Sequence, residues 1–144
     1  MNCFDVVEPH PGETCADCRI RLPLGLLGFE QFKNFSLVIN PQEEPFVRLQ
    51  ALDEPHLAFL AMSPLGVILG YEPEIPEADA DFLELRRSMD QLILSLVSLR
   101  GDGRATINLK GPIVLNRLTL VAKQVILVNA SSYSVAHPLH VRAY

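Results

Sequence analysis

The sequence predicts an all-β protein, namely a small antiparallel β-barrel-like single domain with one short helix. Three observations carry this prediction. The apolar runs are short, rich in β-branched residues and separated by Gly, Pro and Asn, which is typical of antiparallel strands joined by turns. A length of 144 residues fits one domain of ordinary size. One stretch alone departs from the strand pattern and has the spacing of a helix.

The strand predictions follow the chain in order. Residues 19–22 alternate between basic and apolar side chains, as a half-buried strand does. Residues 100–103 (RGDG) are a hairpin turn signal, because Gly accepts a positive φ, and Asn116 is a turn residue that follows an apolar run. The other predicted strands are 35–39, 46–52, 57–62, 67–69, 92–99, 105–109, 113–115, 118–121 and 125–128.

The predicted helix begins at Pro76. Phe82, Leu85, Arg86 and Met89 lie at positions i, i+3, i+4 and i+7, which indicates two or three turns of amphipathic helix. Acidic residues in the first turn, with Arg86 and the following Arg in the last, suit the helix dipole. We therefore expect one helix on an otherwise β-rich fold.

Composition excludes several classes of function. Hydrophobic residues make up 49% and charged residues 20%, which is typical of a globular protein, and the formal net charge of −5 disfavours direct binding to nucleic acid. The longest uncharged stretch, 57–71, is interrupted by Ser63 and Pro64 and is too short to span a membrane. The acidic N-terminus does not resemble a signal peptide, so we expect a cytoplasmic protein without membrane partners.

Charge is unevenly distributed along the chain. Residues 71–84 carry six acidic residues and no basic one, whereas residues 85–144 carry eight basic residues and two acidic ones. The acidic segment has two interpretations. It is either a solvated loop that leads into a helix N-terminus, where acids stabilise exposed amides, or a docking surface for a basic protein.

Cysteine and histidine spacing offers a weak alternative function. Cys15 and Cys18 form a C-x-x-C pair that, with Cys3 and His10, could bind zinc, because thiolates and imidazole suit tetrahedral zinc. A redox role would need the pair at a helix N-terminus, but a strand-like segment follows it. With three cysteines no disulfide framework is indicated, and a small zinc-binding or redox protein stays only as the alternative.

The sequence carries no signal of catalysis. The motifs H-E-x-x-H, G-x-S-x-G, G-x-G-x-x-G and the P-loop are absent. A hydrolase would require polar side chains converging in a concave site. We therefore predict a protein that is not an enzyme and takes neither a cofactor nor a small-molecule substrate.

Six segments, in order, resemble the FliW family of flagellar assembly factors. Each is short, but six in sequence at suitable spacing are specific. The resemblance covers about residues 19–139. They are PLGLLGFE from Pro23, PFVRLQALDEPHLAF from Pro45, YEPEI from Tyr71, NLKGPIVLN from Asn108, KQVIL from Lys123 and HPL from His137.

The resemblance implies a β-barrel-like cytoplasmic protein with two protein partners. One is flagellin, held before export, and the other is CsrA, a small dimeric regulator that binds messenger RNA and represses flagellin translation. When flagellin leaves through the export apparatus, the freed FliW-like protein binds CsrA and relieves repression. The sequence assigns neither partner to a particular surface.

The chain departs from the family pattern at several positions. Leu22 stands where the family usually has Phe, Leu24 where it often has an acid, Leu27 where it has Pro, and Ala136 where it usually has Arg. The first 18 residues look unlike the usual N-terminal strand. We therefore separate an atypical N-terminal segment, 1–18, from a FliW-like β-barrel domain, 19–144.

The predicted partner contacts come from the family-like segments. Gly25 and Gly28 are expected to permit a turn that Phe29 anchors in the core. Asn108, Lys110, Pro112 and Asn116 are expected to support turns and strand ends, and Lys110 is also counted as a contact. The predicted partner-binding residues are Phe29, Glu30, Glu72, Glu74, Lys110 and His137.

Overall fold

The computed structural model describes residues 16–140 and contains nine strands and one α-helix in that range. Short 3₁₀ helices span Pro41–Glu43, Ser88–Asp90 and Ala130–Ser132. The α-helix, α1, is Glu77–Phe82. The strands are β1 Ala16–Arg21, β2 Asn34–Ile39, β3 Phe46–Ala51, β4 Ala58–Met62, β5 Gln91–Leu99, β6 Ala105–Ile107, β7 Ile113–Asn116, β8 Ala122–Gln124 and β9 His137–Leu139.

All strand ladders are antiparallel, so the predicted all-β class is confirmed. The order is β1-β2-β3-β4-β5-β6-β9, with β7 paired to β5 and β8 paired to β7. Strand β5 is the branch point: its first half pairs with β7, its last three residues pair with β6, and its other edge pairs with β4. The sheet curls without closing, because only a single parallel bridge between Arg21 and Val121 joins β1 to the residue before β8.

The interior is built by alternation along the strands. Phe35 and Leu37 of β2 and Leu49 of β3 point inward, and Leu37 lies directly opposite Leu49. Leu22 is fully buried, so the substitution of Leu for the Phe usual in the family keeps an apolar core position.

Strand β7 is covered on both faces. Ile113 and Leu115 join the main core cluster, whereas Val114 packs outward against Leu83 and Ile93. All four residues of β7 are therefore buried. The segment that follows α1 lies over the outer face of this part of the sheet.

The helix is shorter than predicted. It ends at Phe82 and has no basic residue in its last turn, so the expected role of Arg86 in capping the dipole is wrong. The end is a Schellman motif: Glu84 adopts φ 55°, its N–H bonds Asp81 O at 3.1 Å, and Leu85 N–H bonds Ala80 O at 2.9 Å. Sequence did not reveal this end, because Gly usually occupies the position of Glu84.

Three predicted strands are not strands. Residues 67–69 lie in a turn, since the amides of Val67 and Ile68 both bond Pro64 O. Residues 118–121 form a turn after β7. Residues 125–128 continue from β8 alongside residues 110–112, which precede β7. Val125 N–H bonds Pro112 O, but Pro112 has no N–H to return a bond, so no regular ladder forms. The short edge strand β9 was not predicted, and it contains Pro138, a residue tolerated at edges.

Asn116 was correctly predicted as a turn residue, and it does more than cap a turn. It is 2% exposed, and its Oδ1 accepts from the amides of Leu118 at 2.8 Å and Thr119 at 3.2 Å. Its Nδ2 donates to Leu83 O at 2.8 Å, which ties the end of α1 to β7.

Within residues 16–140, no helix has the length and hydropathy required to cross a membrane.

We expect Asn116→Ala to lower the free energy of unfolding by roughly 2–4 kcal/mol, because a buried carbonyl and two turn amides lose their partner. Asn34→Ala is the matched control, since Asn34 is exposed at the start of β2 and should change stability by less than about 0.5 kcal/mol. Urea denaturation followed by circular dichroism measures both. Equal stability of the two variants would contradict the role assigned to Asn116.

Candidate partner-binding face

The loop between β1 and β2 holds Phe29 and Glu30 in a compact double turn. Gly25 has φ +68°, and a Cβ there would lie 2.5 Å from Glu30 Cα, so only glycine fits. Phe29 N–H bonds Leu26 O at 2.7 Å, and the Phe29 ring packs edge-on against Phe59 with centroids 5.0 Å apart. Phe29 is thus half-buried and packs against the main core, as the sequence suggested.

Glu30 lies exposed on the same loop. Its Oε1 accepts a hydrogen bond from Gly28 N–H at 3.0 Å, and this bond lowers the pKa of the Glu30 carboxyl below its ordinary value. The carboxylate is therefore charged at neutral pH and locally oriented. Both properties suit a contact residue at the rim of an interface.

Tyr71 anchors the acidic segment, which we define as residues 71–84. Its side chain is 6% exposed, its hydroxyl donates to Leu109 O at 2.8 Å, and its ring packs edge-on against Tyr133 with centroids 4.7 Å apart. Burial, with a smaller contribution from Tyr133, raises the pKa of Tyr71 to about 12. The acidic segment therefore begins from a fixed point in the core.

The side chain of Asn129 clamps the backbone around Glu72 and Glu74. Its Nδ2 donates to Glu72 O at 2.8 Å, and its Oδ1 accepts from Glu74 N–H at 3.1 Å. Glu72 N–H also donates to Tyr133 Oη at 2.9 Å, and Val128 N–H donates to Glu74 O at 2.8 Å. The acidic segment thus lies along the outer edge of residues 128–133, with both glutamates exposed.

Asp79 has a different role from the other acids of this segment. It forms an ion pair with Lys123 of β8, whose Nζ also lies 5.5 Å from the centroid of the Phe82 ring. Glu72 and Glu74, by contrast, take part in none of the ion pairs formed by the described residues. The acids divide into one that docks α1 and others that face solvent.

An exposed apolar surface lies beside the acidic segment. Along residues 124–128 the side chains alternate: Val125 and Leu127 are buried, whereas Ile126 and Val128 are 60% and 65% exposed. Leu27, 79% exposed, is tied to the same segment, because Leu27 N–H bonds Gln124 Oε1 at 2.8 Å. We call Leu27, Ile126 and Val128 the apolar stripe.

Gln124 and Lys110 connect the stripe to the other predicted contacts. Gln124 Nε2 donates to Gly111 O at 3.2 Å, and Leu127 N–H donates to Lys110 O at 3.4 Å. The structure therefore brings the loop of Phe29 and Glu30, the pair Glu72 and Glu74, and Lys110 to the two sides of residues 124–129. Sequence reasoning missed the stripe, since every residue from 125 to 128 is apolar and the pattern does not show which face is outward.

His137 lies apart from this group, in β9, where it pairs with Ile107. A cavity of about 340 Å³ adjoins it, and a larger one of about 660 Å³ lies between the β3–β4 hairpin and His140. The larger cavity has mainly apolar walls, and Glu43 and Arg48 at its rim form an ion pair of 2.6 Å.

The zinc alternative falls mostly outside the described residues, since Cys3, His10 and Cys15 precede residue 16. Cys18 is 4% exposed in the main core and is disulfide-bonded. Among residues 16–140, no group of three or more His, Cys, Asp or Glu is arranged to hold a metal ion.

Comparisons with known proteins agree on one family. A family model described as FliW protein matches residues 9–139. Flagellar assembly factor FliW of Natranaerobius thermophilus is 33% identical over 138 residues, covering 93% of this chain and 91% of that protein. Its counterpart in Bacillus subtilis is 33% identical over 116 residues, covering 80% of each. A crystal structure of the flagellar assembly factor FliW superposes with a TM-score of 0.74 at 27% identity, covering 94% of this chain and 91% of the other.

The Tyr71 anchor predicts a distinct alkaline titration. Because the folded pKa of about 12 lies above the ordinary value of 10.0, one tyrosine should ionise late, and its stabilising contribution should be lost as pH rises from about 10 through 12. Tyrosinate absorbance against pH measures this. Tyr71→Phe should remove the late phase, whereas Tyr133→Phe should retain it. A late phase that persists in Tyr71→Phe would show that Tyr71 is not the anchor.

Proposed function

The chain belongs to the FliW family of flagellar assembly factors, and from this premise we propose that it is a non-catalytic regulatory protein that binds flagellin and antagonises CsrA. In this proposal it acts in the cytoplasm and couples flagellin export to flagellin translation. While flagellin is abundant, it occupies the protein. Once flagellin is exported, the freed protein binds CsrA and relieves repression of flagellin translation.

The observation that carries the proposal is the fixed backbone of Glu72 and Glu74. Asn129, Tyr133 and Val128 hold this backbone through four hydrogen bonds, and the two exposed glutamates take no part in the ion pairs of the described residues. A pre-organised surface loses little conformational entropy when it binds. The fixed backbone therefore favours the interpretation of the acidic segment as a docking surface for a basic protein over its interpretation as a solvated loop.

Charge supports CsrA as the basic partner. An acidic protein with net charge −5 steers a basic RNA-binding protein toward it, and carboxylates placed beside an RNA site repel phosphates. This route to antagonism does not require the protein to fill the RNA site. Binding of flagellin and of CsrA must then be mutually unfavourable, by competition or by coupling of opposite sign.

The direct test is binding of the purified protein to CsrA and to flagellin from the same organism, by calorimetry at two salt concentrations. We expect binding to both, with CsrA affinity falling as salt rises. Addition of flagellin should release CsrA. If neither protein binds, the proposed function is wrong.

The acidic segment gives a charge-reversal test. Glu72→Lys with Glu74→Lys should slow association with CsrA about tenfold or more at low salt and flatten its salt dependence, because steering is lost. The melting temperature should barely change, since both side chains are exposed. Stopped-flow kinetics measure the association rate.

The matched control is Glu44→Lys with Asp53→Lys, which makes the same change in net charge at two exposed acids in other loops. It should slow association much less. If both double variants associate at the wild-type rate, the acidic segment lies outside the interface. If both slow it equally, net charge alone is responsible.

A further inference from the structure

Exposure of the apolar stripe to water is unfavourable for a protein that has no partner. Leu27, Ile126 and Val128 come from two segments that Gln124 joins, and all three are more than half exposed. Scattered exposed apolar residues are ordinary, but exposed apolar side chains on two segments that a hydrogen bond joins, with charged residues alongside, are typical of an interaction site.

One side of the stripe is acidic. Val128 N–H donates to Glu74 O, and Glu72 precedes Glu74 on the same clamped backbone, so the backbone of both glutamates lies along one side of the stripe. On the other side, Leu127 N–H bonds the carbonyl oxygen of Lys110. An apolar centre beside a charged, solvated rim is the usual anatomy of a protein interface.

We propose that the apolar stripe is the centre of a docking surface for an amphipathic segment of a basic protein partner. The apolar side chains of that segment cover Leu27, Ile126 and Val128, and its Lys or Arg side chains meet Glu72 and Glu74. Charge complementarity selects this occupant. A second copy of this chain is disfavoured, because a two-fold contact through this face would bring the same carboxylates of both copies together.

This proposal deepens the proposed function and rests on it, so CsrA is the probe. The two parts of the surface should act on different rates. Glutamates at the rim set the association rate and its dependence on salt, whereas buried apolar contacts at the centre set the dissociation rate.

The test is Ile126→Ser with Val128→Ser, measured against CsrA by surface plasmon resonance. We expect dissociation to be about tenfold faster or more, with association and its salt dependence changed less than about twofold. The control is Leu99→Ser with Leu118→Ser, two side chains of similar exposure at the end of β5 and in the turn after β7. The control should dissociate at the wild-type rate, and thermal melting should show that both variants are folded.

Several outcomes would overturn this proposal. Wild-type dissociation of the Ile126 and Val128 variant would remove the stripe from the interface. Loss of flagellin binding with CsrA binding intact would assign the stripe to a different occupant. A wild-type dimer that the same substitutions convert to monomer, measured by sedimentation, would make a second copy the occupant. Failure of wild-type protein to bind either partner would instead contradict the proposed function itself.

Discussion

The structure depends on how the nine residues of β5 find hydrogen-bond partners on its two edges. One edge takes β4, and the other is divided between β7 and β6. This division sends the chain in two directions, through β6 to β9 and through β7 to β8. The ladder from β7 then ends at Pro112, which has no N–H to donate. Residues 125–128 lie beside residues 110–112, which precede β7, because the amides of Val125 and Leu127 bond Pro112 O and Lys110 O. Their opposite edge faces the acidic segment.

That opposite edge explains how a flexible-looking acidic sequence becomes a defined surface. The amide of Val128 donates to Glu74 O, so the acidic segment occupies the place of one more strand without forming a regular ladder. Asn129 supplies the missing pair of hydrogen bonds from its side-chain amide, which mimics a peptide group. Tyr71 fixes one end of the segment in the core, and the ion pair of Asp79 with Lys123 fixes the helix beyond it. Backbone groups are thus satisfied internally, and the carboxylates of Glu72 and Glu74 stay in solvent.

The sequence predicted the strands and turns correctly wherever a local pattern determined the structure. A short apolar run identified β2, alternation identified β3 and β5, and the residues RGDG identified the hairpin between β5 and β6. It failed where a tertiary contact decided the outcome. The helix ends early because Leu83 enters the core beside Val114 and Asn116 takes its carbonyl, neither of which leaves a periodic signal. The predicted contacts Glu72 and Glu74, which stay predictions, were chosen as solvated acids beside an anchored aromatic residue. Asn129, which holds them, lies 55 residues from Glu74 and could not be linked to it without the fold.

The run Val125-Ile-Leu-Val shows most clearly what the fold adds. Four consecutive apolar residues are typical of a strand buried on both faces, and a strand was predicted there. In the structure one face is buried and the other is exposed, so the run is more hydrophobic than its own burial requires. Residues 125 and 127 are explained by the core, but residues 126 and 128 are not. Since an exposed apolar edge favours unwanted association, such residues persist most readily where a partner covers them. The glutamates beside the stripe then limit which partner that is, because contact with an acidic surface, including the same face of a second copy of this chain, is repulsive.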